Sequence, residues 1–291
     1  MTSLDVGIEE VWSARAILGE GPVWSDKHEG LFWVDIKRPA LHLFRPSHEE
    51  RLSWPLPQMI GFIAPDATGA LTAALEDGLY SVELAKPGAT PNLTRVATPE
   101  THPPYMRFND GKRAPDGLVW AGTMDDREKV AVGAWYTLDA ANKLTLMADG
   151  FIVTNGPAFD VRSNLAYFND SARRTTYVAD ISRKGPVSLS VFRQFDEDMG
   201  FPDGMTVDAN GLLWIAFWDG GCLRALDPDT AETVHTIRLP VPRPTSCTFS
   251  SHSDDTLYVT SATVGLSSEQ LIEAPWSGSL LAVKGLGALP R

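Results

Sequence analysis

Five short apolar strands, each with an aromatic as its third residue, recur along this chain: LFWVDI (31–36), LVWAGT (118–123), LAYFND (165–170), LLWIAF (212–217) and TLYVTS (256–261). A weaker copy, LTAALE (71–76), carries alanine at that position. The third residues are Trp33, Ala73, Trp120, Tyr167, Trp214 and Tyr258, separated by 40, 47, 47, 47 and 44 residues. Periods of this length, with several strands in each, point to four-stranded propeller blades. No segment sustains the apolar spacing of a helix. Further strands follow the repeated ones, as in GAWYTLD (133–139), TTYVADI (175–181) and GCLRALD (221–227). The expected fold class is therefore all-β: a six-bladed β-propeller, one domain spanning residues 1–291. A solenoid, the competing repeat architecture, would need distinct capping repeats, and none is visible. The segments VWSARAIL (11–18) and SLLAVK (279–284) are expected to pair and close the ring, removing exposed edges.

Composition narrows the function more than the fold. The 21 prolines and 24 glycines suit many turns and few long helices. A formal net charge of −12 argues against nonspecific nucleic-acid binding, which needs clustered Lys and Arg. No apolar run reaches the length of a membrane span, and the acidic start MTSLDVGIEEVW lacks the features of a signal peptide. Neither nucleic acid nor membrane is expected as a partner, and the expected compartment is the cytoplasm. In that setting Cys222 and Cys247 are read as free thiols. A closed ring leaves no obligatory edge to pair, so a monomer is expected.

The polar residues of the chain share one phase of the repeat. Asn109 and Asp203 each lie 11 residues before the aromatic of the following strand, Asn155 lies 12 before and Glu20 lies 13 before. Each stands just ahead of a glycine. Asn-Gly and Asp-Gly pairs are common turns taken singly. Four copies in phase, with the residue type varying, point instead to a site, because a purely structural repeat tends to keep one type. At the start of an innermost strand these side chains would converge on the mouth of a central channel. There Glu20 and Asp203 would repel one another, and a cation would relieve the conflict. With the amide oxygen of Asn155, and Asn109 as a further candidate, they form an all-oxygen donor set suited to a hard divalent ion. Calcium, magnesium and manganese fit this set, and zinc or ferrous iron can occupy it.

Competing motifs are absent. The six histidines show no HExxH or other close ligand spacing, and most are read as solvated loop residues. There is no GxSxG nucleophile elbow, GxGxxG turn or phosphate loop.

The segments LGEGPVW, NDGK…GLVWAGTM, TNGPAFD and FPDGMTVDANGLLWIAFWDGG, in this order and spacing, resemble the regucalcin/gluconolactonase (senescence marker protein, sugar lactonase) family. The similarity runs on through PTSCTFS…TLYVTSA and covers essentially the whole chain. It implies a six-bladed propeller with one catalytic divalent metal in its central channel. The implied metal ligands are Glu20, Asn155 and Asp203; the implied substrate contacts are Arg107 and Asn109, which moves Asn109 out of the ligand set. One departure is Ala114, where the family usually has an Asp two positions after the lysine of NDGK. Asp125 and Asp126, in a segment that often helps define substrate choice in relatives, are candidates for hydroxyl binding, with solvated loop acids as the alternative. Phe62, Met124 and Trp218 are candidate pocket walls. The expected reaction is metal-dependent hydrolysis of a sugar lactone, such as xylono-, arabinono- or gluconolactone, with Asp203 as the catalytic base. Two alternatives share the scaffold: an organophosphate or activated-ester hydrolase, and a non-catalytic calcium-binding propeller.

Overall fold

The recurring strands read as unbroken apolar runs because both faces of every sheet are covered. In the computed structural model, which describes residues 6–250 and 256–286, the chain folds into six four-stranded antiparallel sheets arranged as a β-propeller. Blade 1 spans residues 19–55, blade 2 60–97, blade 3 106–151, blade 4 154–194 and blade 5 201–238. Blade 6 takes three strands from residues 244–284 and its outermost strand, Gly7–Trp12, from the other end of the chain. The repeated aromatic strands are the second strand of each blade.

The core is distributed as six sectors, one between each pair of neighbouring blades, rather than gathered at the centre. Phe32 and Val34 face blade 2, while Leu31 and Trp33, on the opposite face of the same strand, pack against Tyr258 and Leu280 of blade 6. Trp120 meets Phe168 between blades 3 and 4, and Trp214 meets Cys247 and Val259 between blades 5 and 6. A period-two strand buried on both faces has no polar positions to alternate with. The aromatics recur because each blade must fill the wedge between itself and the next.

The ring closes by pairing Gly7 with Lys284 through Trp12 with Leu280. The expected partner at the carboxyl end is correct. At the amino end the strand lies earlier than expected, at Gly7–Trp12, and residues beyond Trp12 leave the sheet to enter blade 1. Among the described residues no helix is long and apolar enough to cross a membrane.

The innermost strands are Gly19–Ser25, Ile60–Pro65, Met106–Arg113, Thr154–Asp160, Phe201–Val207 and Pro244–Phe249. They contact one another in cyclic order and wall the central channel. Each contains a one-residue bulge at the same level: between Glu20 and Val23, Ile60 and Phe62, Phe108 and Gly111, Asn155 and Ala158, Pro202 and Met205, and Pro244 and Ser246. A bulge bends the strand and re-aims a side chain out of the pleat.

Candidate active site

The four in-phase residues sit at these bulges. Glu20 and Asn155 are the last paired residues before theirs, and Asn109 and Asp203 are the first residues inside theirs. Two clamps fix the entry of the chain. Asp35, closing the second strand of blade 1, accepts from the backbone N–H groups of Ile17 and Leu18 at 3.0 and 3.1 Å. Asp170 does the same in blade 4 for Ile152 and Val153, at 3.0 and 3.2 Å. Each clamp closes two residues ahead of a polar channel residue, Glu20 or Asn155.

All four are buried. Glu20 and Asp203 lie near enough for each to act on the charge of the other, which disfavours ionising both. Burial, reinforced by the negative charge of Asp110, pushes Glu20 up to about 8. Burial and the charges of Glu20 and Asp110 raise Asp203 well above the usual carboxylate range. Asp203 Oδ1 is buried without a hydrogen-bond partner.

Asp110 is a third channel carboxylate whose part sequence reasoning missed. Its oxygens accept from the N–H groups of Gly111, at 2.7 Å, and Gly156, at 2.8 Å. Gly156 adopts φ +92°, which lets its backbone turn this N–H toward the carboxylate. Burial pushes Asp110 up to about 6, opposed by the ammonium of Lys112. Lys112 donates to the carbonyl of Met205 at 2.9 Å. The signal was present in the sequence: in NDGK it is Asp110, not Asn109, that directly precedes the glycine.

Arg107 and Asn109 precede Asp110 on the innermost strand of blade 3. The Arg107 guanidinium donates through Nε to Asp126 at 2.5 Å, and through Nη1 to Asn109 Oδ1 at 2.6 Å and the Phe108 carbonyl at 3.1 Å. Asn109 Nδ2 donates to the Thr154 carbonyl at 2.7 Å and to Asn155 Oδ1 at 3.0 Å. Asp126 also binds Lys37 Nζ, at 2.8 and 3.0 Å, so a residue of blade 1 and one of blade 3 meet over blade 2.

Several expectations need correction. Asp125 is buried and ion-paired with Arg127, closed to a substrate hydroxyl. Phe62 belongs to the apolar sector between blades 2 and 3, and Met124 is buried on the strand position that pairs with Arg107. Trp218 is half-buried, with the Arg243 guanidinium 4.8 Å from its ring centre. His42 and His235 are core residues rather than solvated ones, since they alternate with apolar residues on the strands Ala40–Arg45 and Thr233–Arg238 and pack against Trp33 and Trp214. His252 lies outside the described residues. Cys222 and Cys247 are buried free thiols.

The donor set fits a divalent cation. Glu20, Asp110 and Asp203 bring three carboxylates into one buried space, and Lys112 balances one of them. Burial favours protons on Glu20 and Asp203 that a divalent ion would displace, and Asp203 Oδ1 has no hydrogen-bond partner to compete with a ligand bond. Among the described residues no three His, Cys, Asp or Glu side chains form a metal site by themselves, in keeping with a set whose third donor is the amide of Asn155. A separate cavity of about 360 Å³ opens where the innermost strands finish, lined by Trp24, Lys112, Phe159 and Thr206 among others. Glu20, Asn155 and Asp203 take no part in it.

Comparison with known proteins agrees with this architecture. The chain is 32% identical over 272 residues to the 6-deoxy-6-sulfogluconolactonase of Pseudomonas putida, covering 92% of this chain and 91% of the relative. It is 31% identical over 289 residues to regucalcin of Xenopus laevis, covering 97% and 95%. The crystal structure of a calcium-binding protein, regucalcin, from Agrobacterium tumefaciens str. C58 superposes with a TM-score of 0.89 at 25% identity, over 97% of this chain and 95% of that one. The family model described as SMP-30/Gluconolactonase/LRE-like region matches residues 18–263. With six bulged blades, channel carboxylates and this match on the same residues, the chain belongs to the SMP-30/gluconolactonase/LRE-like family.

Proposed function

We propose that this protein hydrolyses a sugar lactone to its aldonic acid, using one divalent metal ion held by Glu20, Asn155 and Asp203. The observation that carries the reading is the buried cluster of Glu20, Asp110 and Asp203, three carboxyl groups against the single ammonium of Lys112, with one Asp203 oxygen lacking a hydrogen-bond partner. Relatives named as lactonases point to the same class of reaction. A divalent ion bound here supplies Lewis acidity to the lactone carbonyl and acidifies the attacking water.

The residues do the rest. Asp203 takes the proton of the water as its oxygen bonds to the carbonyl carbon. The ring C–O bond then breaks, and the same proton passes to the departing ring oxygen, which leaves as a hydroxyl. Glu20 and Asn155 keep the reacting end fixed. Arg107, whose Nη2 makes no hydrogen bond among the described residues, donates to substrate oxygens, and Asp126 prevents its fork from turning. Asn109 has both donors engaged and one lone pair of Oδ1 left to accept a hydroxyl.

Acid release from a panel of aldonolactones, followed at constant pH after chelation and again with each divalent metal restored, tests the proposal. Spontaneous ring opening is subtracted. Metal-restored turnover of a pentono- or hexonolactone is expected. A folded sample that binds a metal and opens no lactone would leave the second reading, a calcium-binding propeller without catalysis. That reading uses the same ligands and is favoured by the regucalcin relatives.

A further inference from the structure

We propose that Ser171 is a positioning residue that decides which end of the Asn155 amide faces the channel. The inference rests on the metal-binding part of the function proposed above. Ser171 follows the strand Leu165–Asp170 directly, is buried, and has its N–H tied to the Val153 carbonyl at 3.1 Å. Its hydroxyl stands between two groups from different blades: the Pro202 carbonyl at 2.6 Å and the Asn155 side chain at 2.8 Å.

The hydroxyl has one hydrogen, and a carbonyl can only accept. The Ser171 hydrogen therefore goes to Pro202, and on its other side Oγ can only accept. Whatever Asn155 presents there must be a donor, which makes it Nδ2 and turns Oδ1 away. The opposite side is equally constrained. The Arg107 guanidinium can only donate, so it fixes the Asn109 carbonyl toward itself and leaves Asn109 Nδ2 to donate to Asn155 Oδ1 at 3.0 Å. The amide of Asn155 is thus oriented between two atoms that have no alternative role, the Pro202 oxygen and the Arg107 Nη1. With its NH2 group reversed into the channel, the same residue would repel a cation.

The neighbouring residue pair strengthens the assignment. Asn169, on the same strand, accepts from the Thr176 hydroxyl at 2.5 Å and donates to the Asp203 carbonyl at 2.6 Å. Asn169 and Ser171 therefore hold the backbone of Pro202 and Asp203 while Ser171 also orients Asn155. Two of the three proposed metal ligands are referred to one strand end.

The test is a titration of Mn²⁺ into the chelated, metal-free protein by calorimetry, with folding checked by the metal-free melting temperature. Loss of a partner behind a metal ligand weakens affinity by about 10–100-fold, so Ser171→Ala is expected to weaken Mn²⁺ binding about tenfold or more. Ser171→Thr retains the hydroxyl and is expected to stay within about threefold of the parent, on the same scale. The decisive comparison is with Asn155→Asp. An aspartate has an oxygen at both ends, so orientation no longer matters, and adding Ser171→Ala to Asn155→Asp should change affinity by less than about twofold. An equal loss in both backgrounds would show that Ser171 merely braces two strands and would overturn the proposal. So would an unchanged affinity in Ser171→Ala. If Asn155→Asp does not fold, the contrast between alanine and threonine at 171 decides. Failure of the parent protein to bind any divalent ion would instead bring down the metal site itself, and this inference with it.

Discussion

Blades 2 and 5 carry the same bulge at the same level of their innermost strands, and one is inert where the other is charged. In blade 5 the bulge leaves Asp203 and Gly204 unpaired, with Asp203 ahead of the glycine and beside Glu20. In blade 2 the residue ahead of the bulge glycine, Gly61, is Ile60, and Ile60 and Phe62 belong to the apolar sectors on either side. A Cβ added to Gly61 would come within 2.5 Å of the Asn109 carbonyl oxygen. The bulge therefore belongs to the architecture, six times over, and supplies an inward-facing position wherever it occurs. Whether that position does chemistry depends on the residue placed there. In blade 2 that position holds the buried, apolar Ile60, and the glycine after it lets the backbone of blade 3 approach.

The comparison is sharpened most at Asp203. Asp203→Asn keeps size and one oxygen but loses the basic site, and turnover of the preferred lactone should fall about 10³-fold while the melting temperature is held or raised. A variant that binds metal and keeps near-parent turnover would remove Asp203 as the base and weaken the contrast with blade 2.

Glu20 allows the charge itself to be tested. Its carboxyl loses its proton near 4.5 when unfolded, whereas burial and Asp110 hold the folded value up to about 8. Between these values the folded state binds the extra proton, so the contribution of this group to metal-free stability is present below about 4.5 and is lost as pH rises toward about 8. In chelator, Glu20→Gln should therefore flatten the decline of melting temperature over that range and melt higher than the parent at pH 8. Added Mn²⁺ should reverse the order, stabilising the parent and leaving Glu20→Gln nearly unmoved. Identical melting curves for the two proteins, with and without metal, would mean that Glu20 is neither strained nor a ligand.

Gly61→Ala approaches the comparison from the inert side. The new methyl group must displace the backbone of blade 3, at a cost of about 1–3 kcal/mol of stability. Its effect on stability should exceed that of Asp203→Asn, and its effect on turnover should be far smaller. Thermal unfolding and lactone kinetics on the two variants measure both halves. A Gly61→Ala protein as stable as the parent would show that the bulge in blade 2 has slack that the close approach to Asn109 does not suggest.

This division explains what could be read from the sequence. The blades were legible because each must fill a wedge against its neighbour, and that demand repeats an aromatic strand at near-constant spacing. Glu20, Asn109, Asn155 and Asp203 were legible because a bulge recurs with the blade and each of these departs from it in residue type. Asp110 was hidden beside Asn109, since phase alone does not tell which of two adjacent polar residues a bulge turns inward. Ser171 and Asp126 act on groups 31 and 19 residues away across a blade boundary or strand pair, and no periodicity marks such contacts. His42 and His235 differ from the loop histidines expected from the sequence because ALHLFR and TVHTIR are strands, and each histidine sits at a buried position of its strand.

The smallest expected effect separates rim from channel. Lys37 and Arg107 both bind Asp126, but the Lys37 side chain is 32% exposed and that of Arg107 only 4%. A half-exposed ion pair contributes less than about 1 kcal/mol and is weakened by salt. With Lys37 removed, Asp126 still has the guanidinium at 2.5 Å to hold it. Lys37→Met should thus change stability by less than about 1 kcal/mol and KM by less than about threefold. Asp126→Asn, which takes the matching charge from a buried guanidinium, should change both by more. Steady-state kinetics at low and high ionic strength distinguish the cases. A tenfold rise in KM for Lys37→Met would place the ammonium on the substrate itself, and the boundary between rim and active channel would then have to move outward to include the loop after the second strand of blade 1.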